Sequence, residues 1–167
     1  IALVAQHAGA SFDAFIKIDD IKGESTDGKL PEWVVPASFS FGVSTKLDRS
    51  SGQPVISSIA TKVLTISKPL DSSSPELFLG CVTGTTYKTV TLALLKSSSS
   101  GGPFYRLTLN DVVVTSVETA GSTGGDDKPA ELISLNFSKI KIEYFKTSKD
   151  GSTEAVTPVT WEVTETP

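Results

Sequence analysis

Residues 68–88 read KPLDSSSPELFLGCVTGTTYK, and they form the one stretch of the chain that interrupts an otherwise strand-like pattern. Ser73 and Glu76 have the spacing of a capping box, and Pro75 suits the first turn of a helix. Gly84 is a natural helix stop, because glycine adopts the left-handed conformation at low cost. The stretch therefore predicts a helix of about two to three turns between two β-strands.

The predicted helix carries an apolar stripe formed by Leu77, Phe78, Cys81 and Val82. An isolated helix this short is marginal in water, so the stripe must pack against something. It can plug the open end of a barrel or contact a neighbouring subunit, and the pattern leaves both possibilities open. The position of Cys81 on the stripe favours a small buried hydrophobe over a reactive thiol.

The segments around the helix alternate apolar and polar residues, as β-strands do. The clearest segment is 33–43, where Ser38 and Ser40 lie opposite an apolar face made of Trp33, Val35, Ala37, Phe39, Phe41 and Val43. Alternation also occurs at 12–20, 59–67, 88–96, 131–147 and 159–163, and 105–118 forms one long strand or two short ones, which gives about eight strands in all. The pattern predicts an all-β fold with one short α-helix, arranged as a small two-sheet β-barrel or sandwich.

The segment 131–147 changes phase along its length. Its first half places Ile133, Leu135 and Phe137 on one face, whereas its second half places Ile140, Ile142 and Tyr144 on the opposite face. A period of two residues cannot change phase without an irregularity, so we expect a bulge or sharp bend near residues 138–139. A strand that bends in this way carries the chain from one sheet to the next.

Composition and charge exclude several classes of partner. The chain has 167 residues and a formal net charge of −4, and its fifteen basic residues are scattered. Nucleic acids and anionic membranes both require clustered Lys and Arg, so neither is an expected partner. No segment approaches the roughly 20 apolar residues that span a membrane. The first ten residues, IALVAQHAGA, resemble either the end of a signal peptide or an N-terminal extension.

Catalytic chemistry finds little support in the sequence. The single histidine, His7, lies in the N-terminal segment, and Cys81 is the single cysteine. A Ser-His-Asp triad cannot be assembled from a core without histidine, and transition-metal sites usually need clusters of His and Cys. We therefore predict no enzyme activity, no catalytic residues, no metal and no cofactor. A compact β domain of this kind is expected to work by binding or by assembling.

The order of several short motifs resembles the haemolysin-coregulated protein (Hcp) family, which forms the inner tube of the type VI secretion system. AFIKIDDIKGES at 14–25 is similar to the first strand and turn of that family, and FSFGVS at 39–44 to an aromatic-Ser-aromatic-Gly strand. SPELFLGCVTGTTYKTVTL at 74–92 is similar to its helix followed by a strand. VTSVETAGSTGG at 114–125 and LNFSKIKIEY at 135–144 are similar to its late strands.

The resemblance implies an N-terminal extension at 1–11 and one barrel domain at 12–167. It implies a ring of six copies, rings that stack into a tube, and small effector proteins held and protected in the lumen. The expected partners are copies of the chain, secreted effectors, and the tip and sheath of the apparatus. The expected location is the bacterial cytoplasm during assembly and then the exterior. The helix is expected toward the inner face of the ring, and Ser38 and Ser40 are expected to face the lumen.

Two departures and two alternatives accompany the resemblance. The extension at 1–11 is longer than the family pattern, and the loop at 45–61 has its own composition, so stacking is the weaker expectation. One alternative is a secreted monomeric β-sandwich that binds carbohydrate through Trp33 or Trp161. The other is a β-fold hydrolase that uses a pair of carboxylates not visible from sequence spacing.

Overall fold

A computed structural model describes residues 11–97, 101–124, 128–148 and 153–163. Within these ranges the chain forms nine strands and one helix, which confirms the all-β fold with one short helix. The elements are β1 Phe12–Ile18, β2 Ser38–Asp48, β3 Val55–Pro69, α1 Ser74–Thr83, β4 Thr86–Lys96, β5 Tyr105–Ala120, β6 Ala130–Asn136, β7 Lys139–Thr147, β8 Thr153–Ala155 and β9 Val159–Glu162. The predictions for IALVAQHAGA and for His7 concern residues outside these ranges.

All strand pairs are antiparallel, and the strands follow the order β1-β4-β5-β6-β3-β2. β7 pairs with β5, and β8 and β9 pair with β7. The sheet curls into a half-barrel around one main apolar core. The most deeply buried residues of this core include Ile16, Ile18, Leu64, Ile66, Leu77, Leu109, Ile133 and Leu135.

The barrel turns its corner at two irregularities that face each other. β5 pairs with β7 as far as Asn110, with β4 as far as Val113 and with β6 from Val113 onward. Asp111, just after the last pair with β7, has a positive φ of 51°. β6 ends at Asn136 and β7 begins at Lys139, which confirms the predicted break. Because of this break, the residues before it and Ile140 and Ile142 after it all pack on the same core.

The start of β2 differs from the prediction. The strand begins at Ser38, whereas residues 33–37 cross from β1 to β3 and pair through one isolated bridge between Ile16 and Val34. Val34 is therefore buried and Val35 is exposed, the reverse of the predicted alternation. Pro36 explains the difference in part, because proline has no N–H to donate to a sheet.

The helix ends as predicted, but its start and its buried face do not follow the prediction. Gly84 adopts a left-handed conformation with a φ of 65°, and its N–H bonds to the carbonyl of Gly80. The Ser73 hydroxyl makes no capping bond and donates instead to the Asp71 carboxylate, so the capping box is wrong. Leu77 is fully buried and Cys81 is half-buried against the core.

Phe78 and Val82 of the predicted apolar stripe do not pack within the described part of the chain, so for them contact with a neighbouring subunit stays a prediction. Both side chains are exposed, as is Leu79 beside them. The helix instead buries Ser74, Leu77 and Gly80, small residues flanking one leucine, because α1 lies close to the strands beneath it. The apolar residues Phe78, Leu79 and Val82 are therefore left largely uncovered by the described part of the chain.

Candidate functional site: a hydroxyl-rich sheet face between two open edges

One face of the sheet formed by β2, β3, β6 and the second half of β5 is lined by small polar side chains. The residues of this face alternate with core residues such as Phe39, Ile66 and Ile133, so they point away from the core. Two rows run straight across the four strands in register, and we call them together the hydroxyl face. The rows are Ser40-Thr65-Ser134-Ser116 and Ser38-Ser67-Leu132-Glu118.

The hydroxyl face carries little charge. Among the eight positions of its two rows, Glu118 alone is ionisable and Leu132 alone is a large apolar residue. Serine and threonine hydroxyls both donate and accept hydrogen bonds, and they impose no fixed charge. The face can therefore contact polar protein surfaces of varied chemistry through hydrogen bonds, with Glu118 as the one charged group in its two rows.

The structure places Ser38 and Ser40 on this face, in the positions nearest the edge of the sheet. Both side chains are exposed, and each begins one of the two rows. The sequence identified these two residues from one strand, but the other members of the rows required the strand order. The alternation of Thr65 and Ser67 between buried Leu64, Ile66 and Lys68 was the signal that would have extended the face.

The four-stranded sheet ends at two open edges. Within the described ranges β2 pairs on one side only, with β3. Beyond Val113, β5 pairs only with β6 among the described residues, because β4 begins at Thr86 opposite that position. Strand directions alternate from β5 through β6 and β3 to β2, so β2 of one copy can continue the pattern beside β5 of another.

Two exposed apolar surfaces lie outside the hydroxyl face. The first is the hairpin arm, residues 43–62, which projects as the paired ends of β2 and β3. Its exposed apolar residues are Val43, Leu47, Val55, Ile56 and Ile59. The second is the helix face, formed by Phe78, Leu79 and Val82 of α1. Clustered exposed apolar residues mark sites of protein association.

Other groups named by the sequence analysis are not brought together. Trp33 packs against a small cluster of Phe15, Ala93 and Leu95 and lines a groove of roughly 500 Å³ that Trp161 does not line. Trp161 lies on β9 opposite Ile140 and is exposed. In the described ranges, no three His, Cys, Asp or Glu residues are grouped as metal ligands would be. No helix there is long and apolar enough to cross a membrane.

A half-barrel with two open sheet edges and exposed apolar surfaces defines a class of protein that works by assembling with others. Comparison with known proteins agrees with this class. The family described as "Type VI secretion system effector, Hcp" matches residues 15–144. The protein Hcp1 of Pseudomonas aeruginosa is 33% identical over 142 residues, which cover 84% of this chain and 87% of the relative.

Solved structures show the same fold. A type VI secretion system protein superposes with a TM-score of 0.84 and 28% identity, covering 92% of this chain and 96% of the other. Hcp1 from Salmonella typhimurium superposes with a TM-score of 0.70 and 27% identity, covering 86% and 91% of the two chains. The chain belongs to the Hcp family of type VI secretion proteins, as its sequence motifs predicted.

Proposed function

We propose that this chain is the structural subunit of a type VI secretion tube, and that six copies form a ring whose lumen holds small effector proteins. The observation that carries the proposal is the four-stranded sheet with open edges at β2 and at the second half of β5. An open edge at each end of one sheet is what a closed ring requires. Membership of the Hcp family supports the same function.

The ring follows from the geometry of the two edges. They are different strands, so the contact between copies is heterologous, and a heterologous contact that closes on itself gives a cyclic ring. Four strands from each of six copies give about 24 strands in a continuous antiparallel barrel. At about 4.8 Å between strands, its circumference is about 115 Å and its backbone diameter at least about 37 Å. Such a lumen admits a small folded protein.

The hydroxyl face is the face that lines this lumen in our proposal. The other face of the same sheet packs on the core, which also carries α1 and the strands β1, β4 and β7. In this proposal the second layer, which includes α1, therefore lies outside the inner barrel and not toward the inner face of the ring, where the resemblance implied it. The rows that begin at Ser38 and Ser40 line the wall of the lumen. A wall of hydroxyl groups with few charges can accommodate cargoes with different surfaces, as a tube that carries several effectors requires.

The tube has a cellular location and a set of partners in this proposal. The ring assembles in the bacterial cytoplasm and leaves the cell as part of the secreted tube. Its partners are copies of itself, the small effectors in its lumen, and the tip and sheath of the apparatus. It acts as a structural protein and a chaperone for effectors, and no catalytic step is assigned to it.

Light scattering at physiological salt and neutral pH tests the ring first. A native mass near six chains, with a central hole in electron micrographs of the same sample, is the expected result. A monomer at high concentration would overturn the proposal and would direct attention to a carbohydrate screen on Trp33 and Trp161.

A charge pair across the two edges tests how the ring closes. Ser40 on β2 and Ser116 on β5 lie at opposite ends of one row. In our proposal the rows continue from one copy to the next, which brings these two residues together at each junction. Ser40→Asp with Ser116→Asp places like charges there and is expected to lower the ring fraction at low salt. Ser40→Asp with Ser116→Lys is the matched control and is expected to keep the ring. Equal ring fractions in the two variants would contradict this edge-to-edge contact.

A further inference from the structure

A groove in the second layer of the half-barrel brings one tryptophan together with charged and hydroxyl groups. Its volume is roughly 500 Å³, and it lies on the face of β4, β5 and β7 that points away from the core. Trp33 and Leu30 form its apolar wall. The polar residues that line it are Thr91, Thr108, Arg106, Lys141 and Glu143. A flat apolar wall beside a few converging polar groups is typical of a site for a small molecule.

We propose that this groove, which we call the Trp33 groove, binds a carboxylate-bearing sugar of an acidic polysaccharide. The sugar ring stacks on Trp33, its carboxylate binds Arg106, and its hydroxyl groups bond to Thr91 and Thr108. One chain forms the whole groove, so the inference does not depend on the proposed ring. In that ring, the groove would be repeated six times on the outer wall.

The wall of the groove is held in place by the chain itself. The Asp27 carboxylate accepts the N–H groups of Lys29 at 2.8 Å and of Leu30 at 3.1 Å. The N–H of Ser25 donates to the Trp33 carbonyl at 3.0 Å. Leu30 and Trp33 also pack on the small cluster beneath them. A preformed wall reduces the entropy that is lost when a ligand binds.

The charges in the groove favour an anionic ligand. Lys141 Nζ lies 2.8 Å from the Glu143 carboxylate, whereas a guanidinium nitrogen of Arg106 lies 3.8 Å from it. Two cations and one carboxylate leave the groove with a net charge of +1, although the whole chain carries −4. An anion is therefore complementary to the groove and not to the average surface of the protein.

Arg106 has the geometry to bind a carboxylate. Its contact with Glu143 is longer than a hydrogen bond, and its guanidinium carbon lies 5.4 Å from the centre of the Phe145 ring. The ring attracts the guanidinium, and the side chain is still 39% exposed, so N–H groups are accessible to a ligand. Arginine binds a carboxylate through two parallel hydrogen bonds. The ligand expected here therefore carries a carboxylate.

Two threonine hydroxyls lie beside the charged groups. Lys17, Thr91, Thr108 and Lys141 form one row in register across β1, β4, β5 and β7. A hydroxyl group both donates and accepts, so Thr91 and Thr108 can bond to sugar hydroxyls in either direction. The apolar face of a sugar ring is complementary to the flat side chain of Trp33 in the same groove. The three kinds of group together favour a sugar acid over a simple anion.

A peptide fits the same groove less well. β4 and β5 form its floor, and at Ala93 and Arg106 each strand is paired on both sides. An extended peptide gains affinity by pairing its main chain with a free strand edge. Because these strands have no free edge at the groove, the main chain of a peptide would lack partners there. A sugar needs only side-chain partners.

Tryptophan fluorescence measures the binding, with trigalacturonate as the acidic probe and maltotriose as the neutral one. The chain has two tryptophans, so Trp161→Phe leaves Trp33 as the single reporter. The expected result is a saturable change in Trp33 emission with trigalacturonate, which weakens at high salt because exposed charges are screened. Maltotriose is expected to bind about tenfold more weakly, because it brings no carboxylate to the guanidinium. In Trp33→Phe, the emission of Trp161 is expected to stay constant.

Substitution of the arginine tests the carboxylate contact. In the Trp161→Phe background, Arg106→Gln is expected to weaken trigalacturonate binding by about tenfold. Arg106→Lys is expected to retain only part of the affinity, because lysine lacks the paired donors. Arg49→Gln is the matched control, since Arg49 is the other arginine of the chain and does not line the groove. It should bind trigalacturonate as the background protein does, and the unfolding midpoints of all three variants should match.

The outcomes separate this inference from the proposed function. Equal binding of trigalacturonate by Arg106→Gln and Arg49→Gln would overturn the inference, as would equal binding of maltotriose. Stronger binding of hexaglutamate than of trigalacturonate would assign the groove to an acidic peptide and would also overturn it. Light scattering on the same samples reports the native mass. A ring of six chains that binds no trigalacturonate overturns only the inference, and a monomer that binds it overturns only the ring.

Discussion

Lys68 and Glu131 form an ion pair inside the protein, with 2.8 Å between Nζ and Oε2, and their side chains are 0% and 3% exposed. They lie directly opposite each other on β3 and β6. Lys68 Nζ also contacts the Asp71 carboxylate at 2.7 Å, and the Ser74 hydroxyl donates to Glu131 at 2.6 Å. The cluster therefore ties the first turn of α1 to two strands of the sheet.

Lys68→Met is expected to destabilise the protein by about 3–5 kcal/mol, because it leaves the buried carboxylate of Glu131 and the partly buried one of Asp71 without a counter-charge. The free energy of unfolding from urea denaturation measures the loss. Lys139→Met is the control, since Lys139 and Glu162 form an ion pair of 3.0 Å that is largely exposed. Its removal is expected to cost less than about 1 kcal/mol. Equal losses of unfolding free energy in the two variants would show that the buried cluster contributes no more to stability than an exposed ion pair does.

Gly80→Ala is expected to loosen α1 from the sheet. A Cβ at this position would overlap the hydroxyl of Tyr87, and it would lie 3.0 Å from the ring carbon that bears the hydroxyl. Tyr87 is buried beneath the helix, so it cannot simply swing away. The expected loss is about 1–3 kcal/mol of unfolding free energy, as in other overpacked cores.

Tyr87→Phe in the Gly80→Ala background supplies the control, because it removes the oxygen that the new methyl would strike. The double variant is expected to recover part of the lost stability. If Tyr87→Phe only adds its own cost to that of Gly80→Ala, the clash with the hydroxyl is not the cause.

The fold class was predictable from the sequence because the alternation of apolar and polar residues along a strand is a local signal. Ile133 and Ile140 reveal the corner between β6 and β7, since a change of phase within one segment requires a break. The positions of Phe78 and Val82 were not predictable in this way. Helical spacing alone does not state which side of a short helix meets the sheet, and here the small residues Ser74 and Gly80 allow the closer approach.

The candidate site depends on pairings between distant strands, and these have no signal in a single segment. Ser40 and Ser116 lie in one row only because β2, β3, β6 and β5 adjoin in that order. The buried position of Lys68 was likewise not visible from its own segment of sequence. It occupies a core position in the alternation that includes Leu64 and Ile66, and a lysine at the end of a strand is usually exposed. Its partner Glu131 is more than sixty residues away along the chain.

Tyr87 is expected to make the stability of the protein fall at alkaline pH. Burial, with smaller contributions from the carboxylates of Glu76 and Asp19, raises the pKa of this phenol above its ordinary value of 10.0. In the unfolded chain the phenol ionises near pH 10, whereas in the folded chain it keeps its proton. The unfolded state is therefore favoured by ionisation of the phenol, and the free energy of unfolding falls as the pH rises above about 10.

The pH dependence of the free energy of unfolding measures this effect. Tyr87→Phe is expected to flatten the alkaline decline, and Glu76→Gln is expected to shift it only slightly, because burial is the main cause. Burial also raises the pKa of Tyr105, so a shallower decline should persist in Tyr87→Phe. An unchanged slope in Tyr87→Phe would contradict the assignment.

Ser40→Gln is expected to impair the holding of effectors without breaking the ring. Ser40 is exposed at the end of one row of the hydroxyl face, and a ring repeats it six times around the proposed lumen. Glutamine is longer and flexible, so it narrows the lumen and costs side-chain entropy when cargo is bound. The measurement is protection of a small secreted effector from protease when it is co-expressed with the ring.

Thr160→Gln provides the matched control for Ser40→Gln, because Thr160 is an exposed hydroxyl residue on β9, away from the hydroxyl face. Both variants should keep a native mass near six chains, because glutamine brings no charge to the junction beside Ser40. Ser40→Gln should lose effector protection and Thr160→Gln should retain it. Six glutamines around the wall of the lumen would alter any contact between cargo and the row through Ser40. If Ser40→Gln protects the effector as the unmodified ring does, then this row does not contact the cargo.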